Sequence, residues 1–139
     1  MSKAARMLKL KDTAQYCVVS FHTISSNSED YYTKEELEEI GVIEGEIQRL
    51  LPDEHIYRNL NQIVCIHEIK SGETQAGFRE EMEKLYQTVQ KQIFHRNKTT
   101  DFQIGIGSIV NGYGDLKKSF KDSKKIIDYM DMIRYLYGD

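Results

Sequence analysis

Residues 101–129 read DFQIGIGSIVNGYGDLKKSFKDSKKIIDY and carry the strongest signals of the fold class. Apolar residues occupy every second position at its start, at Phe102, Ile104 and Ile106. That period is typical of a β-strand with one buried face, so the sequence predicts a strand over Phe102–Val110. A turn through Asn111-Gly112-Tyr113-Gly114 follows, and an amphipathic helix is predicted from Asp115 onward.

Two glycines and two serines in this stretch indicate how the strand and the helix pack. Gly105 and Gly107 lie in the strand and Ser119 and Ser123 in the helix, and small residues let a helix lie close to a sheet. The glycine pair also suggests a dinucleotide-binding fingerprint, but Val110 stands where the third glycine belongs and no ribose-binding acid follows. Close packing between backbone and helix is therefore the favoured interpretation.

The rest of the chain supplies three more strands and two more helices. Strands are predicted over Gln15–Ile24, His55–Leu60 and Gln62–Lys70, and helices from Thr33 to Pro52 and over Thr74–Arg96. Thr33 and Glu36 form a capping box at the start of the first helix. The buried helix faces are predicted to carry Leu37, Ile40, Ile43, Ile47 and Leu50, then Phe78, Met82, Leu85, Val89 and Ile93, and finally Leu116, Phe120, Ile127 and Met130.

The order of elements is thus β-α-β-β-α-β-α, with two crossovers that can each bridge parallel strands. The fold class is α+β, a ferredoxin-like or nucleotide-cyclase-like sheet domain with an additional C-terminal helix. The basic residues 1–13 are interpreted as a linker or lead-in outside the core. Residues 14–139 are interpreted as one domain of a longer polypeptide.

Composition and charge exclude several classes of function. The net charge of −3 argues against direct nucleic-acid binding by the domain, and no apolar run is long enough to cross a membrane. Cys17 and Cys65 both fall in strand-like apolar runs, so they are expected to be buried free thiols in a reducing compartment. The expected location is the cytoplasm.

One family resemblance rests on Ile104-Gly105-Ile106-Gly107 followed by Leu116, Ser119-Phe120 and Ser123. This pattern, within the order of elements given above, resembles the GGDEF-like domain of bacterial transcription regulators, of the AraC type and also PucR-like. The resemblance covers residues 15–137, and its specific residues lie in the last third of the chain. It implies a fold related to nucleotide cyclases that is used for regulation.

The same resemblance implies partners. Such domains sit between a sensor or receiver domain and a helix-turn-helix, so the expected partners are other domains of the same polypeptide. A homodimer is a further candidate. Neither nucleic acid nor a membrane is expected to contact this domain directly.

The sequence departs from active cyclases at the positions that would hold metal. A diguanylate cyclase carries Gly-Gly-acid-acid on the hairpin between its second and third strands, where this chain has Arg58-Asn59-Leu60-Asn61-Gln62. A second metal-binding acid is expected near the end of the first strand, where Phe21-His22-Thr23 stands. Because phosphoryl transfer with two metals needs hard oxygen ligands, no enzyme activity, catalytic residue, cofactor or metal site is expected.

Other polar residues have structural interpretations that are favoured over functional ones. The histidines His22, His55, His67 and His95 show no metal-ligand spacing, and His67-Glu68 is interpreted as part of a hydrogen-bonded or solvent-facing strand. The lysines of the last helix alternate with aspartates, which indicates a solvated mixed face. Tyr129, Tyr135 and Tyr137 either complete the packing of that helix or face a partner.

Three functional hypotheses follow. The leading one is a non-catalytic regulatory or signal-relay domain of an AraC-type regulator, such as a two-component response regulator, acting on a DNA-binding domain elsewhere in the polypeptide. The second is a small-molecule or nucleotide-binding sensor domain. The third is an enzyme, with an active nucleotide cyclase as its specific form.

Overall fold

The computed structural model describes residues 10–25, 34–59, 62–96 and 100–137. The strands are β1 (Gln15–Ser25), β2 (His55–Asn59), β3 (Gln62–Glu68), β4 (Thr100–Ile106) and β5 (Val110–Asn111). The helices are α1 (Lys34–Leu50), α2 (Gln75–Arg96) and α3 (Leu116–Tyr137), and one 3-10 turn, Tyr113–Asp115, precedes α3.

The strands form one sheet in the order β2-β3-β1-β4, with the short β5 paired to the start of β1. Every pairing is antiparallel. β1 and β2 both run antiparallel to β3, so they are parallel to each other. β3 and β4 both run antiparallel to β1, so they are parallel to each other as well. The predicted α+β class and the two crossovers between parallel strands are therefore confirmed.

The main core lies between one face of the sheet and the helices α1 and α2. Alternate β1 residues point to this face, and they meet apolar side chains of both helices. The buried members are Cys17, Val19, Phe21, Ile43, Ile47, Ile63, Cys65, Phe78, Met82, Leu85, Val89 and Phe102. The predicted apolar faces of these two helices thus form the core, except that Leu37 is 37% exposed.

The other face of the sheet carries α3, which is held by hydrogen bonds as well as by packing. The backbone N–H of Val18 donates to Ser119 Oγ over 2.8 Å, and the hydroxyls of Ser20 and Ser123 are 2.7 Å apart. Both helix serines are fully buried. A second, smaller apolar cluster on the same face joins Leu10, Tyr16 and Val110.

Three details differ from the sequence expectations, and some expectations fall on residues that the structure does not describe. The strand predicted over Phe102–Val110 is divided into β4 and β5, because residues 107–109 leave the ladder between them. Leu116 and Phe120 are only half-buried. Ser119, Ser123 and Ile127 on the same helix are buried. Leu10, which was expected outside the core, is buried. The Thr33 cap, residues 60–61 of the hairpin and the side chains of Ile93 and Met130 lie outside the described residues.

Candidate functional site

The end of the sheet that carries the β2–β3 hairpin is the first candidate site, because a cyclase would hold its metals there. The structure brings the end of β1 to this hairpin: His22 pairs with Gln62, and Asn59 pairs with Gln62 from the other side. The hairpin and the end of β1, where a cyclase would carry its metal-binding acids, are therefore neighbours in space.

Arg58 is the charged residue of this hairpin. Its Nη1 lies 3.4 Å from Glu44 Oε1, and its Nη2 donates to the Leu37 carbonyl over 3.3 Å. The guanidinium thereby joins β2 to α1 and engages Glu44, the carboxylate that approaches the hairpin strand.

Among the described residues, those that flank the hairpin turn (Arg58, Asn59 and Gln62) and those at the end of β1 carry no carboxylate. The described hairpin residues and the end of β1 present guanidinium, amide, imidazole and hydroxyl groups, whereas Mg²⁺ prefers carboxylate oxygens. Throughout the described ranges, no group of three or more His, Cys, Asp or Glu side chains is arranged to hold a metal ion.

A small pocket lies on the α3 side of the same sheet end. Its volume is about 70 Å³, and its polar lining comes from Ser20, His22, Gln62, Lys124 and Asp128. Since a water molecule takes about 30 Å³ of liquid volume, the pocket has room for roughly two waters. A nucleotide does not fit in it.

The glycine pair of the sequence motif lies directly beneath α3. A β carbon added at Gly105 would overlap the carbonyl oxygen of Ser123, and one added at Gly107 would overlap that of Ser119. Gly107 also donates its N–H to the Val18 carbonyl over 2.8 Å. The interpretation as close packing against a helix is confirmed for these glycines.

The opposite end of the sheet contains a buried group of charged side chains that the sequence did not reveal. His67 is 5% exposed and lies between two glutamates: Nδ1 is 2.5 Å from Glu54 Oε1, and Nε2 is 2.9 Å from Glu73 Oε2. The imidazole stacks on Phe78, with ring centroids 4.3 Å apart and planes inclined by 11°. We call His67, Glu54 and Glu73 the histidine clamp.

The histidine clamp connects three parts of the fold. Glu54 precedes β2, His67 lies in β3, and Glu73 precedes α2, where it also accepts the Lys70 N–H over 2.8 Å. Its members are 13 and 6 residues apart, so no local motif signals it. Of the two interpretations that the sequence left open for His67, the hydrogen-bonded one is confirmed and the solvent-facing one is wrong; the exposed Glu68 beside it in sequence is not its partner.

The contacts within the histidine clamp shift the pKa values of His67 and Glu73. Burial by itself would lower the pKa of His67, but the hydrogen bonds and negative charges of Glu54 and Glu73 outweigh it and raise the pKa. For Glu73, burial acts to raise the pKa, whereas the Lys70 N–H and His67 outweigh it and lower the pKa. Folding therefore makes His67 easier to protonate and Glu73 easier to ionise, which strengthens the contact between the segments that precede β2 and α2.

The two cysteines are buried free thiols, as predicted. Burial raises the pKa of Cys17 to about 11, and Glu73 adds to that effect. Burial raises the pKa of Cys65 as well. Because the thiolate is the reactive form, neither side chain is suited to act as a nucleophile at neutral pH.

The outer surface of α3 carries both charges and apolar residues. Lys117, Lys118, Lys121 and Lys125 are exposed, while Asp122 lies among them and accepts the Ser108 hydroxyl over 2.6 Å. Further along the helix, Ile126 is 41% exposed and Tyr129 is 57% exposed. The mixed, solvated lysine face that the sequence indicated is confirmed. The exposed side chains of Ile126 and Tyr129 lie farther along the same helix.

Comparison with models of known protein families identifies a family for this chain. The model of the GGDEF-like domain family matches residues 1–129, which is most of the chain. No curated protein shows significant sequence similarity. None of the helices in the described part of the chain is long and apolar enough to span a membrane.

Proposed function

We propose a regulatory function for this chain, which belongs to the GGDEF-like domain family. It is a non-catalytic signal-relay domain of a bacterial transcription regulator of the AraC type, and it acts in the cytoplasm on a helix-turn-helix in the same polypeptide. The family membership supports a role in signalling. The finer assignment rests on the sequence motif and on the hairpin end of the sheet.

The observation that carries the non-catalytic part is the chemistry at the hairpin. His22 and Gln62 are paired there, and Arg58 engages Glu44, so the positions that hold metal in a cyclase present no free acid among the described residues. Without carboxylate ligands at these positions, a pair of divalent cations that clamps the phosphates of two nucleotides is not expected. This supports a domain that transmits a signal rather than one that makes a product.

The relay is proposed to run through α3. Near its start, hydrogen bonds of Ser119 and Ser123 hold the helix against β1. Farther along, the side chains of Ile126 and Tyr129 are exposed. A signal that changes what contacts this exposed part would shift the population of arrangements in which the polypeptide binds DNA.

Incubation with GTP and Mg²⁺ or Mn²⁺ tests the non-catalytic assignment. We expect no cyclic dinucleotide above the background of a reaction without protein. Turnover proportional to protein concentration would refute the assignment. A clear rise of the unfolding midpoint with GTP but without turnover would instead favour the sensor alternative, because a ligand that binds the native state stabilises it.

The relay is tested in the full-length polypeptide with Tyr129→Lys. This substitution should change occupancy of the target DNA about fivefold or more, the lower range of allosteric coupling, without lowering the unfolding midpoint. Tyr57→Lys in β2, where the tyrosine is 43% exposed, is the matched control and should leave occupancy unchanged. Equal responses of the two variants would contradict a specific relay through α3.

A further inference from the structure

The outer edge of β4 is an open sheet edge. In the order β2-β3-β1-β4, β4 has a neighbour on one side only, and no described strand pairs with its other side. Natural edge strands usually carry lysine, proline or a bulge that prevents pairing with another chain. In β4 the one charge is Asp101 near its start, and residues 102–106, FQIGI, contain no charge and no proline.

The register determines which backbone groups this edge presents. Gly107 donates its N–H to Val18 in β1, and residues two apart in an antiparallel strand point the same way. Gln103 and Gly105 therefore face β1, where they pair with His22 and Ser20. The N–H and C=O groups of Ile104 and Ile106 point away from the sheet and are available to a further strand.

An apolar groove runs beside the same edge. Its volume is about 570 Å³, and its apolar lining comes from Met82 and Tyr86 of α2, Ile104 and Ile106 of β4, and Ile126 of α3. Side chains of the edge residues thus line the groove, while their backbone groups point outward. An added strand would gain backbone hydrogen bonds and apolar contacts together, which is how strand addition at a sheet edge achieves affinity.

The groove also carries charges of both signs on α2, namely Arg79, Glu80 and Glu83. In a two-fold interface, residue i of one subunit contacts residue j of the other, and j contacts i. A surface that carries both charges can therefore place each basic residue beside an acidic residue of the copy. An edge strand is likewise complementary to itself in the antiparallel sense, since each outward N–H meets an outward C=O of the copy.

We propose that two copies of this chain associate through their β4 edges about a two-fold axis, so that one antiparallel sheet continues across both subunits. The partner chemistry is a second copy: with the axis beside Gly105, Ile104 of each subunit pairs with Ile106 of the other. Arg79 of each subunit lies near the other's acidic groove residues, and Ile126 covers the seam. The interface does not depend on the regulatory role proposed above.

Analytical ultracentrifugation over a range of protein concentrations tests this interface with two variants. Ile104→Pro removes an N–H that points outward and leaves the ladder to β1 intact, as proline is tolerated where the strand edge faces solvent. Ile126→Lys places a charge in the groove from a helix surface and leaves the sheet unchanged. Each should weaken dimerisation at least about tenfold, equal to about 1.4 kcal/mol.

Leu37→Lys is the matched control, because Leu37 is 37% exposed on α1 and does not line the groove. It should dimerise like the wild type, and circular dichroism should show that all three variants are folded. If Ile104→Pro fails to fold, Ile126→Lys decides the outcome. A monomeric wild type, or a dimer that persists in Ile126→Lys, would overturn the proposal, and a monomer that binds an unrelated extended peptide at β4 would assign the edge to another partner.

Discussion

Gly105 in β4 lies directly against the backbone carbonyl of Ser123 in α3, with no space for a β carbon between them. Ser123 uses its hydroxyl at the same point, donating to the Phe120 carbonyl over 2.6 Å and meeting the Ser20 hydroxyl. The sheet and the helix are therefore in backbone contact at one place. The position of α3 depends on a residue that has no side chain.

Gly105→Ala should destabilise the domain by at least about 2 kcal/mol. The added methyl group meets the backbone carbonyl of Ser123, so the backbone of α3 or of β4 has to move. Chemical denaturation gives the change in the free energy of unfolding. Gly45→Ala in α1 is the matched control, since nothing lies within 4 Å of an added β carbon there. That variant should be stabilised by about 0.5–1 kcal/mol, and an equal loss in both would contradict the close packing described.

The stability of the domain should depend on pH through the histidine clamp. The raised pKa of His67 gives a stabilisation that is present below about pH 6.5, the pKa of an unfolded histidine, and is lost as the pH rises through the folded value. The lowered pKa of Glu73 gives a stabilisation present above the unfolded value of about 4.5 and lost as the pH falls through the folded value. Stability from the clamp is thus greatest between these limits.

His67→Gln should remove the decrease in unfolding free energy above about pH 6.5. Glu68→Gln is the control, because it removes a neighbouring exposed carboxylate outside the clamp and should keep that decrease. Denaturant titrations at several pH values measure both. If the pH dependence of His67→Gln is the same as that of the wild type, the clamp does not govern it.

The buried thiols should resist modification in the folded protein. With its pKa raised to about 11, Cys17 is almost wholly protonated at pH 8, and Cys65 is buried as well. Ellman's reagent should therefore react with both only after addition of denaturant, at the rate at which the protein opens. Immediate reaction of one thiol in native buffer would show that its strand is more accessible than the structure indicates.

Arg58→Met should destabilise the domain by about 1 kcal/mol, because β2 loses its bonds to Glu44 and to the Leu37 carbonyl in a partly buried position. Arg49→Met is the matched control. Its ion pair with Glu46 lies within α1, and the Arg49 side chain is 57% exposed, so the expected change is below about 0.5 kcal/mol. Thermal and denaturant unfolding give both values, and equal losses would argue that Arg58 has no special role at the hairpin.

Sequence reasoning located the elements because their signals are local. The alternation of Phe102, Ile104 and Ile106 and the helical spacing of Ile40, Ile43 and Ile47 report which side of each element is buried. It overextended β4, because Ile109 and Val110 are as apolar as the strand before them, while the break between β4 and β5 depends on how the chain passes α3.

Local signals in the sequence were enough to predict the α+β class, the order of the elements, the close packing of Gly105 and Gly107 against a helix and the family resemblance. The tertiary structure alone decided the strand order, the clamp of His67 between Glu54 and Glu73, and the groove along β4. The reason is physical. Periodicity and steric size act between neighbours along the chain, whereas an ion pair or an open edge exists only after distant segments have packed and excluded water from between them.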